Sequence, residues 1–147
     1  MPQFDLIARN SQGRTCVVVE TKRRTGSDPG WARQWRRNVL SHGDPSPLGD
    51  GLFVLATPDK IYVWPEAAAA DSAPEHELSG TALLEPYFDR ANVAPNAIEP
   101  GAFEFLVALW LEDLASTPPG DWPSGPLAAT GLLDALAGTR VVREAAA

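Results

Sequence analysis

Residues 3–22 read QFDLIARNSQGRTCVVVETK, and this stretch decides the expected fold. Residues 3–9 (QFDLIAR) and residues 14–22 (RTCVVVETK) are each typical of a β-strand, and the second is rich in β-branched side chains. Residues 10–13 (NSQG) form a tight-turn sequence, so the two strands are predicted to pair as an antiparallel hairpin. Because residues 16–19 are apolar without alternation, we expect the second strand to be central and covered on both faces.

The sequence after the hairpin predicts helices and further strands. A helix is expected from about Pro29 to Ser41, because Ser27 or Asp28 can cap it and Pro29 suits the first helical turn. Its apolar stripe would consist of Trp31, Trp35 and Val39, with the arginines pointing elsewhere. The other expected elements are strands at residues 51–57, 60–64 and 139–144, and helices at residues 81–91, 101–116 and 127–137.

These elements predict an α/β (α+β) fold with a central mixed β-sheet. Residues 1–64 would form a core of hairpin, helix and strands, and residues 65–80 a flexible connector rich in Ala, Ser and Glu. Residues 81–147 would form an acidic, mainly helical C-terminal part that packs on the same single domain. The length of 147 residues fits one domain of this kind.

Composition narrows the class of protein. Hydrophobic residues make up 44% and charged residues 21% of the chain, which excludes collagen-like, disordered and disulfide-scaffold proteins. Cys16 is the only cysteine, so no intrachain disulfide can form. The N-terminal stretch lacks a signal-peptide pattern, and the longest apolar run, residues 105–111, is too short to span a membrane. A cytoplasmic protein without a membrane partner is expected.

The charge is distributed unevenly along the chain. The net charge is −7, yet residues 1–45 carry eight basic and four acidic side chains, a net charge of +4. This basic first third predicts contact with the phosphates of a nucleic acid, DNA being the expected one. The candidate phosphate-binding residues are Arg23, Arg24, Arg33, Arg36 and Arg37.

Asp5, Glu20 and Lys22 are candidate site residues at the end of the hairpin. Strand alternation places Glu20 and Lys22 on one face, together with Cys16 and Val18. A two-residue loop would set Asp5 opposite Val18 and a four-residue loop would set it opposite Glu20, whereas an odd loop without a bulge would separate the carboxylates. Two buried carboxylates are costly unless something compensates their charge. Mg²⁺ or Mn²⁺ would do so.

Asp5, followed by Glu20-Thr21-Lys22 on the next strand, resembles the signature of the PD-(D/E)XK, or restriction-endonuclease-like, nuclease superfamily. The order of hairpin, amphipathic helix and strand is also similar to the middle of that family's core. The resemblance covers roughly residues 3–64. It implies that Asp5 and Glu20 bind Mg²⁺ (or Mn²⁺) and that the backbone carbonyl of Thr21 completes the metal site. It also implies that Lys22 orients or deprotonates the attacking water, or stabilises the pentacovalent phosphorane.

The chain departs from the family pattern at several places. Phe4 stands where the motif has a proline, and the helix that usually precedes the hairpin has no counterpart before Asp5. A protein partner, or a second copy of the chain in a homodimer, is expected to replace that helix. Gln34 stands where some members of that family carry a helical glutamine near the metal, and is a further candidate.

Together these features predict a Mg²⁺-dependent nuclease, a phosphodiesterase acting as an endonuclease, with Asp5, Glu20 and Lys22 as the catalytic residues. The alternative is a catalytically inactive, nuclease-like binding or regulatory subunit of a multi-protein complex. The strongly acidic second half favours this alternative, because it would repel a long duplex. The nuclease fold that this chain resembles is used in bacterial defence, among other systems.

Overall fold

The computed structural model describes residues 4–41 and 51–143. In these residues, six strands form one sheet and four α-helices pack against it, which confirms the predicted α+β class with a mainly helical C-terminal part. Two short 3₁₀ turns, Pro119–Asp121 and Ala128–Thr130, join the later elements. In chain order the elements are β1 (Leu6–Arg9), β2 (Thr15–Thr21), α1 (Pro29–Ser41), β3 (Leu52–Ala56), β4 (Lys60–Trp64), β5 (His76–Ser79), α2 (Gly80–Ala91), α3 (Pro100–Ser116), α4 (Leu132–Leu136) and β6 (Arg140–Arg143).

The sheet is mixed, as expected, and its strand order is β5-β4-β3-β2-β1-β6. Strands β2 and β3 are parallel, and the other four described pairings are antiparallel. The predicted β1–β2 hairpin is therefore present, with β2 in the interior of the sheet. β6 returns to pair with β1, so β1 does not form an edge of the sheet.

Helices cover both faces of the sheet. Helix α1 packs on one face, where Val18 of β2 lies in a cluster with Ala32 and Leu40. Helices α2, α3 and α4 pack on the other face, in a cluster that contains Val17 and Val19. Because consecutive residues of β2 enter opposite clusters, β2 is the central, doubly covered strand that its unbroken apolar run predicts.

A β-bulge in β2 sets the pairing of the hairpin. Ala8 pairs with Val17, whereas Arg9 pairs with Thr15, so the pairing skips Cys16. The turn is closed between Asn10 and Arg14 by backbone hydrogen bonds, which makes the loop odd in length. Cys16 packs with the cluster beneath α3, not on the face of Val18 as strand alternation predicts, because the bulge interrupts that alternation.

Helix α1 is rotated by about one residue relative to the predicted stripe. Trp31, Trp35 and Val39 are only half-buried against the core. An arginine can take a buried position here because its aliphatic stem packs like an apolar side chain when its donors find partners. The buried positions of α1 are Ala32, Arg36 and Leu40.

Residues 65–80, predicted as a connector, include strand β5, which pairs antiparallel with β4 at the edge of the sheet. The stretch before β5 is held by a hydrogen bond from Trp64 Nε1 to the Ser72 carbonyl, 2.9 Å long. The sequence of β5, HELS, is too short and too polar to stand out as a strand. Its existence depends on the neighbouring β4.

Helix α3 buries the predicted apolar face, including Phe103 and Leu106, against the sheet. Its outer face leaves Phe105 54% exposed and Leu109 40% exposed. Within the described ranges, no helix combines the length and the apolar character needed to cross a bilayer.

We predict that Gly51→Ala destabilises the protein, because Gly51 has a φ of +104° and an added Cβ would lie 2.2 Å from the Cys16 carbonyl oxygen. The loss should be at least about 2 kcal/mol in urea unfolding, from the strained backbone and the displaced bulge. Gly101→Ala is the matched control, since its Cβ would meet nothing within 4 Å. Equal unfolding free energies for the two variants would contradict the close approach of Gly51 to the bulge.

Candidate metal and nucleic-acid site

The two candidate carboxylates lie side by side where β2 ends. Leu6 pairs with Val19, and extending this register by one residue places Asp5 opposite Glu20. The backbone N–H and the hydroxyl of Thr21 both donate to Asp5 Oδ2, at 2.8 Å and 2.9 Å. The fold therefore fixes one oxygen of Asp5 by two hydrogen bonds and brings the carboxylate to the side of Glu20.

Glu20 is a buried acid with a carboxylate neighbour. Glu20 is only 8% exposed. Burial, followed by the hydrogen bond and the negative charge of Asp5, raises the pKa of Glu20 to about 9, although the positive charge of Lys22 acts in the opposite direction. Without a cation, Glu20 therefore retains its proton at neutral pH.

The pair fits a hard divalent cation. A cation placed between Asp5 and Glu20 would stabilise both carboxylates in their ionised form and offset the cost of burying them. Across residues 4–41 and 51–143, no cluster of three or more His, Cys, Asp or Glu side chains is placed to hold a metal. Mg²⁺ commonly binds proteins through one or two carboxylates and retains several waters, so two carboxylates are an acceptable ligand set. A ligand role for the Thr21 carbonyl stays a prediction.

Lys22 follows this pair along the chain and is exposed. Its Nζ lies 5.1 Å from the centroid of the Trp35 ring, in a cation–π contact. Its charge also acts on the pKa of Glu20, so the ammonium group is electrostatically coupled to the carboxylate pair. Lys22 is thus a cation held by an aromatic ring beside the candidate metal ligands.

Arg23 and Arg24 extend the positive charge beyond the end of β2. Arg23 Nη1 donates to the carbonyl of Ile98 at 2.9 Å, just before α3. The guanidinium of Arg24 lies 5.0 Å from the centroid of the Trp31 ring. Both side chains line a groove of about 490 Å³ whose other lining residues are Thr21, Lys22, Trp31, Trp35, Pro100 and Phe103.

The remaining candidates on α1 do not line this groove. Arg33 is exposed, and its Nε donates to the carbonyl of Asp71. Gln34 and Arg37 are exposed on the same helix. The five predicted arginines therefore do not form one surface: Arg23 and Arg24 lie in the groove and the others lie along α1.

Arg36 differs most from its predicted role, because it is 2% exposed. Its guanidinium carbon lies 5.3 Å and 5.2 Å from the ring centroids of Phe53 and Trp64. It donates to the carbonyls of Ala69 and Ala68 at 2.7 Å and 3.1 Å, and burial lowers its pKa to about 10. A phosphate at the surface cannot reach this group, so Arg36 joins α1 to the segment after β4.

Some residues of the groove were missed by sequence reasoning. Trp31 and Trp35 were expected in the core, because their spacing matches an apolar helical stripe, yet each keeps part of its ring beside a cation. Pro100 and Phe103 belong to α3, far away in the chain. Local sequence patterns contain no signal for such a long-range approach.

Comparisons with protein-family models, with curated proteins and with solved structures find no match to this chain. The similarity to PD-(D/E)XK nucleases therefore stays a prediction. Its basis is the hairpin residues Asp5, Glu20, Thr21 and Lys22 and their arrangement at the end of β2.

We predict that Glu20→Gln stabilises the protein at pH 8 in the presence of EDTA. Between the ordinary value of 4.5 and the raised pKa of about 9, the folded chain binds one more proton at Glu20 than the unfolded chain does. The free energy of unfolding should thus fall by about 1.4 kcal/mol per pH unit from this group as the pH rises. Glutamine does not titrate, so the variant lacks this pH dependence. Its gain in stability over wild type should therefore shrink as the pH is lowered towards 5.

The measurement is chemical unfolding from pH 5 to pH 8.5, with Glu77→Gln as the control. Glu77 is exposed on the edge strand β5 and pairs with Lys60 of β4, so its variant should follow the wild-type pH profile. Parallel profiles for wild type and Glu20→Gln would contradict the buried, protonated carboxyl.

We further predict that Arg36→Ala lowers the free energy of unfolding by about 2–4 kcal/mol, because it removes the packing on two rings and leaves two carbonyls without their donor. Arg37→Ala, at the exposed neighbouring position, should change it by less than about 0.5 kcal/mol. Urea unfolding measures both. An unchanged free energy of unfolding for Arg36→Ala would contradict the burial of the Arg36 side chain.

Proposed function

We propose that this chain is a Mg²⁺-dependent nuclease that hydrolyses phosphodiester bonds, with DNA as its substrate. The observation that carries the proposal is the buried carboxyl group of Glu20 beside the half-buried carboxylate of Asp5, next to the cationic side chain of Lys22. Burying a carboxylate next to a second carboxylate is unfavourable unless a cation or a proton neutralises the charge. Hydrolysis of a phosphate diester is promoted by a bound metal ion together with positively charged side chains around the phosphate.

Asp5 and Glu20 are the residues that would hold Mg²⁺ or Mn²⁺, with the Thr21 carbonyl as a further oxygen. When bound, the ion would neutralise charge on the phosphate and make a water more nucleophilic near neutral pH. Thr21 contributes by keeping Asp5 oriented through its two hydrogen bonds. The fold supplies this orientation before the substrate arrives, which is what a catalytic constellation requires.

Lys22 has a separate role in this proposal. Its ammonium is exposed and held over Trp35, so it can approach a phosphate oxygen without leaving the protein surface. Positive charge at this point would stabilise the negative charge that develops on the phosphorane and orient the attacking water. Arg23 and Arg24 would draw the phosphate backbone towards the same place.

A second candidate function, that of a catalytically inactive binding or regulatory subunit, is supported by the outer face of α3. Phe105 and Leu109 are exposed there and line an apolar cavity of about 490 Å³ between α2 and α3. Exposed apolar patches of this kind are often protein-interaction surfaces. A subunit of this type would bind nucleic acid or a partner without cleaving a strand.

We predict that wild-type protein cleaves plasmid and single-stranded circular DNA with Mg²⁺ or Mn²⁺ and not with EDTA. Lys22→Ala should reduce the single-turnover rate by about 10²–10³-fold, because a positioned charged group is lost from the transition state. Lys22→Arg should retain more activity than Lys22→Ala, since it keeps the charge. Lys60→Ala is the matched control, because Lys60 of β4 pairs with Glu77 of the edge strand β5 and does not line the groove.

Cleavage by all variants at the wild-type rate would contradict the assignment of Lys22. If folded wild-type protein cleaves neither the plasmid nor the single-stranded circle with Mg²⁺ or Mn²⁺, the nuclease proposal is excluded. The proposal of a binding or regulatory subunit then remains.

A further inference from the structure

The groove at the end of β2 has walls from opposite layers of the protein. Trp31 and Trp35 of α1 line it from one side of the sheet, and Pro100 and Phe103 of α3 line it from the other. Arg23, in the segment after β2, donates to the Ile98 carbonyl and so connects that segment to the start of α3. The groove is therefore part of the folded architecture and not a depression between exposed loops.

Its chemistry combines flat aromatic surface with positive charge. Lys22 lies over the ring of Trp35 and Arg24 over the ring of Trp31, so each half-buried tryptophan is paired with a cation. Among the described residues, no acidic side chain lines the groove, although the chain after residue 45 carries fifteen acidic and only four basic side chains. Cations over aromatic rings are suited to a ligand that has both phosphates and planar bases, since bases stack on aromatic rings and on guanidinium planes.

The size of the groove decides which form of nucleic acid it accepts. A volume of about 490 Å³ lies in the range of pockets that enclose a small ligand. Such a space holds one or two nucleotides and cannot enclose a base-paired duplex. In a duplex the bases also stack on each other, so their faces are not available to Trp31 or Trp35 unless a base leaves the helix. The geometry favours an unpaired strand.

We propose that the groove lined by Lys22, Arg24, Trp31 and Trp35 binds unpaired nucleotides of a single-stranded nucleic acid, with bases against the tryptophan–cation pairs and phosphates at the cations. This inference rests on the proposed function, because the groove shares Lys22 and Thr21 with the candidate metal site. It makes unpaired DNA, such as a single strand, a flap or a gap, the preferred substrate. The strand would reach the carboxylate pair along the end of β2.

The test is fluorescence anisotropy in EDTA, so that binding is measured without cleavage. The probes are a labelled ten-nucleotide dT strand, a blunt duplex of matched length and dTMP as competitor. Wild type should bind the strand at least about tenfold more tightly than the duplex, and dTMP should compete only weakly. Trp31→Leu should weaken strand binding by about tenfold or more, as expected for the loss of one stacked base, and Trp31→Phe should retain most of it.

Two controls separate the groove from the rest of the surface. Trp122→Leu changes a half-buried tryptophan that bonds to the Thr117 carbonyl, about 25 Å along α3 from Pro100, and should bind the strand as wild type does. If Trp31→Leu does not fold, the exposed Arg24 serves instead: Arg24→Ala should weaken strand binding, and Arg14→Ala, an exposed arginine at the opposite end of β2, should not.

Three results would overturn the inference: equal affinity for strand and duplex, dTMP binding as tight as that of the strand, or unchanged strand binding by both Trp31→Leu and Arg24→Ala. Failure of the nuclease proposal is a different outcome. A protein that binds the strand through Trp31 and Arg24 but never cleaves supports the groove and excludes catalysis. A protein that cleaves only duplex DNA, without preference for the strand, supports catalysis and excludes the groove.

Discussion

The burial of β2 on both faces is the constraint on which the other features of the structure depend. Val17 and Val19 enter one core cluster and Val18 enters the other, so a slip of one residue would exchange the two sets. The bulge at Cys16 lets an odd loop coexist with this register. The same register places Asp5 opposite Glu20, which means that the pairing that completes the core also assembles the candidate site.

This coupling explains why the protein tolerates an unfavourable pair of acids. Glu20 is buried beside Asp5 because the neighbouring positions of β2 are needed in the core, and Thr21 holds Asp5 in place. The cost of this arrangement appears as the raised pKa of Glu20. A divalent cation would offset that cost, so the stability of the fold and the occupancy of the site are linked.

The apolar runs were enough to predict the hairpin, the mixed sheet and most helices, because each is a local pattern. They could not predict the bulge at Cys16, which lies against Gly51 from a distant part of the chain, or strand β5, which pairs with β4. The burial of Arg36 could not be predicted either, because its hydrogen-bond acceptors are two carbonyls distant in the chain. For the candidate site, spacing alone was enough to propose Asp5, Glu20 and Lys22, whereas the α3 wall of the groove could be seen only in the tertiary structure.

The most direct test of the account is the thermal stability of metal-free protein titrated with Mn²⁺ at pH 7.5. The account predicts that wild type is stabilised, by about 2.7 kcal/mol at a hundredfold excess of Mn²⁺ over its Kd, and that Asp5→Asn and Glu20→Gln are stabilised far less. Glu77→Gln, changed at the exposed edge strand, should respond as wild type does. Equal stabilisation of wild type, Asp5→Asn and Glu20→Gln would contradict the central claim that the β1–β2 register builds a cation site.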